Sequence, residues 1–285
     1  MSTSIPARRY VRLHRALRRT LSYLSLTLGA ATMVTPFLWM LSTSLKAPSQ
    51  VFAWPPVIIP IPPVWDNYTR VLSQFPIPRY ALNTAKIAFL VTAGQLLTCS
   101  LAGFAFARLR FPGRNALFLG YLATMMVPGQ VTMIPNYIVM NKLGWVGGHT
   151  GLIVPALVSP FGTFLLRQFF LTFPVELEDA AKLDGCNPLI FYWRILLPNS
   201  MPILATLGVM TFQGTWNDFQ WPLIMISSES ARTLQVGLSN LSSRYYTEWT
   251  RLMAGSVMTL IPIIVLFFFA QKYFVQSIKM TGLKG

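Results

Sequence analysis

The sequence predicts an all-α protein of the membrane, a polytopic chain with six transmembrane helices, and three observations carry that prediction. Hydrophobic residues make up 53% of the 285 positions and charged residues only 11%, with a mean hydropathy of +0.51. Soluble domains carry about 25% charged residues, so this chain is too poor in charge to cover a globular surface of its size. Apolar runs of about 20 residues, the length a bilayer core demands, recur along the chain, and about six fit with their loops. Lysine and arginine gather at the ends of these runs, as membrane topology requires.

Residues 1–19 contain Arg8, Arg9, Arg12, Arg15, Arg18 and Arg19 and no acid. They read as a basic cytoplasmic N-terminus. The apolar run 20–41 is longer than the core of about 7–15 residues typical of a cleaved signal peptide, so it reads as a retained first span. Residues 44–79 include PPVIIPIPPVWDNYTRVL. Each proline there lacks a backbone donor that lipid cannot replace, which predicts an external loop on the membrane surface with Trp54 and Trp65 as interfacial anchors. The second span, 81–106, ends at RLRFPGR, where Arg108, Arg110 and Arg114 mark a cytoplasmic turn. In the third span, 115–140, Pro128-Gly129 and Pro135 predict a kink or unwinding. A fourth span covers 151–171, and a polar loop at about 172–200 returns to the cytoplasm. The fifth span runs over 201–226, an outer loop over 227–250, and the last span over 252–274. Residues 20–276 are thus expected to form one transmembrane domain, and 277–285 a cytoplasmic tail. Most of the 23 lysines and arginines then lie on the cytoplasmic side, with both termini there.

The net charge of +15 does not predict nucleic-acid binding, because no basic face sits on a soluble module. Cys99, Cys186, His14 and His149 lack metal-type spacing, so ordinary thiols and no metal site are expected. The chain has no G-x-x-x-x-G-K, H-E-x-x-H or G-x-S-x-G motif, so it is expected to be non-catalytic and to hydrolyse no ATP itself. Energy must then come from a partner or an ion gradient. An ion-coupled secondary carrier would need paired acids inside the membrane or repeat halves with matched broken helices, and only one acid, Asp218, falls within a predicted span. A membrane-embedded enzyme would need a nucleophile–base pair or a metal cluster.

The segment 174–202, PVELEDAAKLDGCNPLIFYWRILLPNSMP, holds four of the eight carboxylates, Glu176, Glu178, Asp179 and Asp184. Pro174 suits a helix start, and the acids in the first turns complement its positive end. Leu177, Ala180 and Ala181 share helical spacing, giving a small apolar face. Gly185 suits the helix stop, and Asn187-Pro188 reads as cap and first position of a second helix. The product is a two-helix knob with an acidic rim. On physical grounds alone, a docking device and a solvated amphipathic helix remain equally open.

The spacing Asp179-Ala180-Ala181, three residues, Gly185, nine residues, Ile195-Leu196-Leu197-Pro198 resembles the EAA loop of binding-protein-dependent ABC import permeases. Asp179 stands where that family usually has glutamate, and Cys186 where it has alanine. FLWMLSTSLK (37–46), SLAGFAFARLRFPGR (100–114), TMMVPGQVTMIPNY (124–137), FGTFLLRQFF (161–170), WNDFQWPLI (216–224) and the closing GLKG are similar to the carbohydrate-import branch, the maltose-type second permease subunit. The resemblance implies the type I ABC importer permease fold in a bacterial or archaeal plasma membrane. It implies a paralogous second permease subunit, two ATP-binding cassette subunits that bind ATP and Mg, and an extracytoplasmic sugar-binding protein. It also implies that Glu178, Asp179, Ala180, Ala181, Asp184 and Gly185 dock into an ATPase subunit, with Asp179 or Glu178 pairing with a basic residue there. Trp216, Asn217 and Asp218 are the expected substrate path, since indole, amide and carboxylate suit hydroxyl-rich ligands, with structural packing an equally open reading. Tyr245 and Tyr246 are the expected contact with the binding protein or its sugar, with interfacial anchoring an equally open reading. Gly282 to Gly285 are expected near the ATPase interface.

Overall fold

A computed structural model describes residues 5–242 and 247–281, and the regular elements among them are helices. Four of these are long and apolar enough to cross a bilayer, or six when each of two sharply bent helix pairs is taken as one span. Contacts divide the chain into two compact units, 1–71 with 244–258 and 72–243 with 259–285, where the sequence reading draws one domain over 20–276.

In the first unit, α1 (Ile5–Ser44) runs back through the arginine-rich segment, so the residues after the first four are helical and continuous with the first span. Leu17–Ser44 is its apolar stretch, and its most apolar part is not buried against the described residues. The proline-rich loop that follows closes on the end of α1 through Asn67, in the first turn of α2 (Asp66–Gln74). Its amide donates to the carbonyls of Ser44 and Lys46, both at 2.9 Å, meeting acceptors that a helix end leaves unpaired. Ser44 Oγ and Tyr68 OH share a further hydrogen bond of 2.7 Å. Lys46 is buried with its ammonium 3.9 Å from the ring centroid of Trp39, and burial lowers its pKa. Trp54 and Trp65, the expected interfacial anchors, are exposed.

The second unit is built around α3 (Ile77–Arg108). It continues through α4 (Arg114–Ala123), α5 (Gly129–Lys142), α6 (Thr150–Ile153), α7 (Pro160–Leu171), α8 (Val175–Leu183) and α9 (Pro188–Phe191). A π-helical turn at Tyr192–Leu196 leads into α10 (Leu197–Asn199), α11 (Met201–Trp216), α12 (Gln220–Met225) and α13 (Leu234–Ser239). The last helix, α14, spans Trp249–Thr281. Against α3 lie α7 and α11, with Phe104, Leu166, Phe170, Tyr192, Leu196 and Leu207 buried between them. Small residues permit the approach, as they do between membrane helices generally. A Cβ on Gly103 would lie 3.1 Å from the Arg167 amide nitrogen, and one on Gly162 would lie 3.0 Å from Cys99 Sγ.

Three spans are interrupted. The third bends by 100° between Arg114–Met126 and Gly129–Lys142, at the Pro128-Gly129 pair where the sequence predicts a kink. The fifth bends by 77° between Pro188–Asn199 and Met201–Trp216. It also breaks at 217–219 before α12, where the sequence reading draws one span to 226. The fourth, Thr150–Leu171, lies where the sequence predicts a span but is interrupted within it. Between α6 and α7 the chain makes a 3₁₀ turn at Pro155–Leu157 and then extends through Val158 and Ser159. Pro160 forces the residue before it out of the helical region, and Pro155 lacks a donor. The carbonyls set free are met by α3: Gln95 donates to Ala156 O at 2.8 Å, Thr98 to Leu157 O at 2.5 Å and the Cys99 thiol to Ser159 O at 3.4 Å.

Gly103→Val should therefore destabilise the assembled protein by about 1–3 kcal/mol, the usual range for overpacking. Gly120→Val, at a position with no neighbouring atom within 4 Å, should leave stability nearly unchanged. Thermal unfolding in detergent distinguishes the two.

Candidate functional site

Two places in the second unit gather the polar residues singled out by sequence. The first is the loop after α7. Pro174 precedes α8, and Glu176 and Glu178 occupy its first turn. Its end is a left-handed glycine cap: Gly185 has φ +78°, Cys186 N donates to Ala181 O at 2.9 Å, and Gly185 N donates to Lys182 O at 3.0 Å. Asn187 Oδ1 then accepts from Ile190 N at 2.8 Å, capping α9. The knob is thus fixed by its own backbone bonding.

Its two acids face different ways. Asp179 points to solvent, its side chain 62% exposed, and pairs with Lys182 at 3.2 Å. Glu178 turns inward, 18% exposed, and takes ion pairs from Lys182 at 3.0 Å and Arg108 at 3.3 Å. These two acceptors raise the pKa of Lys182, Glu178 contributing more than Asp179. Arg108, almost wholly buried, also donates from Nε and Nη2 to Phe170 O at 3.1 and 2.6 Å, and from Nη2 to Phe173 O. One guanidinium thereby ties the end of α3 to the end of α7 and the flank of α8. Sequence reading assigned Arg108 only to topology; its spacing gives no sign of this clamp.

The expected apolar face of α8 divides as well. Ala181 packs inward in the cluster with Phe104 and Phe191, whereas Leu177 and Ala180 are exposed. Leu183, which the sequence reading passes over, is 90% exposed at the tip, and Asp184 and Gly185 beside it are exposed too.

The second place is a cavity of about 620 Å³ lined by α3, α5, α11, α12 and the segments beside them. Asp218 lines it with Thr84, Gln130, Asn136, Thr215 and Trp221. Trp216 and Asn217 do not line it. The Trp216 indole is 2% exposed, stacks on Phe212 and donates to Thr259 O at 3.2 Å, so packing accounts for it. Asn217 Oδ1 accepts from Gln235 at 3.4 Å. Asp218 Oδ1 accepts from the Trp221 amide at 3.4 Å, near the start of α12. The amides Gln130 and Asn136 sit in the otherwise apolar PGQVTMIPNY, and their cost inside a membrane was the available signal. Beside the cavity, the loop after α12 is held to α3: Tyr80 OH donates to Glu229 at 3.2 Å, and Asn83 donates to Ser230 O at 3.0 Å and Arg232 O at 2.9 Å. Tyr245, Tyr246 and the closing Gly282 to Gly285 lie outside the described residues.

Residues 99–280, which include the knob and all of the cavity lining except Thr84 and Ile87, match the family described as binding-protein-dependent transport system inner membrane component. The chain belongs to that family. The permease is 39% identical over 203 residues to the arabinooligosaccharides transport system permease protein AraQ of Halalkalibacterium halodurans, covering 71% of this chain and 73% of that one. It is 33% identical over 264 residues to the sn-glycerol-3-phosphate transport system permease protein UgpE of Yersinia pestis, covering 90% and 94%. Its fold matches a chain of a bacterial ABC transporter involved in import of the acidic polysaccharide alginate, with a TM-score of 0.78, 24% identity and coverage of 96% and 100%. The permease is therefore a multi-pass membrane protein of ABC import systems.

Arg108→Gln should loosen α8 without unfolding the spans, by about 1–3 kcal/mol for the acceptors left unmet. Amide hydrogen exchange should rise at 175–183 and stay unchanged in the middle of α3.

Proposed function

We propose that this permease subunit imports a sugar or sugar derivative, a di- or oligosaccharide, a glycosylated polyol or a glycerol phosphate, across the plasma membrane by alternating access. The observation that carries the coupling half of this reading is the knob at 174–188. Its cap is rigid, its exposed edge presents Leu177, Asp179, Ala180, Leu183 and Asp184, and its base is gripped by Arg108. A surface with two carboxylates among short or apolar groups suits a socket on another protein better than it suits water. The socket belongs to an ATP-binding cassette subunit. Two such subunits bind ATP and Mg and carry out hydrolysis, and the permease itself is non-catalytic. With Glu178 engaged inside the chain, Asp179 is the acid that meets a basic residue of the cassette.

The cargo half rests on the relatives that carry arabinooligosaccharides and glycerol phosphate and on the amide- and hydroxyl-lined cavity, which is the path through this subunit. A paralogous permease forms the other wall, and an extracytoplasmic sugar-binding protein delivers the cargo at the outer loop that includes Tyr245 and Tyr246. Both termini lie in the cytoplasm, in keeping with the bias of lysine and arginine.

Reversing the exposed edge with Asp179→Lys and Leu183→Glu together should cut sugar uptake at least about tenfold, as expected for loss of a hot spot of 1.4 kcal/mol or more. ATP hydrolysis by the cassettes should persist and membrane insertion should be normal. Wild-type uptake in this double variant would remove the knob from the coupling path.

A further inference from the structure

The residues facing the cavity of about 620 Å³ have an uneven chemistry. Their polar members are hydroxyls and amides, Thr84, Gln130, Thr132, Asn136, Thr215, Gln220 and Thr233, groups that both donate and accept. Among the described lining residues the one ionisable side chain is Asp218, and no lysine, arginine or histidine is present. Thr233 Oγ1 is buried without a hydrogen-bond partner. A buried hydroxyl left unmet is unfavourable, and a ligand hydroxyl or a water molecule entering the cavity would satisfy it. The Trp221 indole nitrogen is already committed to Gly151 O at 3.2 Å, so the ring contributes area and not a donor.

We propose that this cavity is a charge filter that admits neutral polyhydroxylated solutes and disfavours anionic ones, with Asp218 as the residue that sets the selection. The inference rests on the reading of the cavity as the path through this subunit. An anionic sugar derivative, phosphorylated or carboxylated, needs cationic or anion-binding donors to replace its hydration, and this wall provides a carboxylate in their place. A neutral oligosaccharide meets paired donors and acceptors, and the carboxylate itself can accept from two sugar hydroxyls. The selection narrows the cargo to the neutral part of the range set out above and excludes glycerol phosphates and uronic acids.

The test measures the charge of the cavity directly and needs no identified cargo. In the assembled transporter in proteoliposomes, Cys186 is replaced by Ser and a reporter thiol is placed in the cavity as Thr132→Cys. Its rates of reaction with a cationic and an anionic methanethiosulfonate of similar size are compared at neutral pH and low salt, without nucleotide and after trapping with ATP and vanadate. The expected result is a reaction rate that changes on trapping and a cation-to-anion ratio that falls about five- to tenfold on Asp218→Asn, the size one unit charge gives at close range in a high dielectric. Asp218→Glu should keep the ratio. A rate that responds to trapping but shows no cation preference with Asp218 in place, or keeps that preference in Asp218→Asn, overturns the filter and leaves the path intact. A thiol that never reacts, or reacts alike in every state, removes the path and the filter together.

Discussion

Carbonyl groups released where helices break are the constraint on which the second unit depends. Lipid offers them no donor, and each unmet buried acceptor costs about 1–3 kcal/mol. The span that breaks at Pro155–Ser159 is repaired from outside itself, by Gln95, Thr98 and Cys99 on α3. Further along the same helix, Ser100 Oγ and Tyr192 OH share a bond of 2.6 Å, joining α3 to the π-helical turn. Polar side chains in an apolar helix thus have an assignment that hydropathy alone does not reveal. Without α3 in register, the fourth span would lose three of its acceptors' partners.

That register in turn requires closeness. Gly103 and Gly162 leave no room for a side chain between α3, α7 and α11, and the bonds just named need that distance. Packing and polar satisfaction are therefore one condition here. A wider spacing would empty the contact around Leu166 and Phe170 and also lengthen every bond from α3 to the interrupted backbone.

Much of the knob was legible because its determinants are local. Pro174, the early acids, Gly185 and Asn187-Pro188 act within a turn or two of themselves, and the structure places the helix start, cap and second start where they point. The inward turn of Glu178 was not legible, since it depends on Arg108, 70 positions away. Span four lies where hydropathy places it, but hydropathy is blind to the break inside it, although VPALVSP contains both prolines that cause it. Trp216 failed in a third way: an indole suits both a sugar and a core, and only its bond to Thr259 decides between them. The cavity's amides, by contrast, were visible in the sequence and simply not weighed.

Because α3 is uninterrupted over Ile77–Arg108, its two functional contacts are mechanically one object. Thr84 and Ile87 line the cavity, and Arg108 holds α8 about 36 Å further along, at 1.5 Å per residue. A stiff rod of that length is a lever. A tilt of about 10° around its midpoint moves each end by about 3 Å in opposite directions, roughly the width of a water molecule at the cavity wall. The same helix that mends the broken backbone therefore also joins the cavity wall rigidly to the grip on α8.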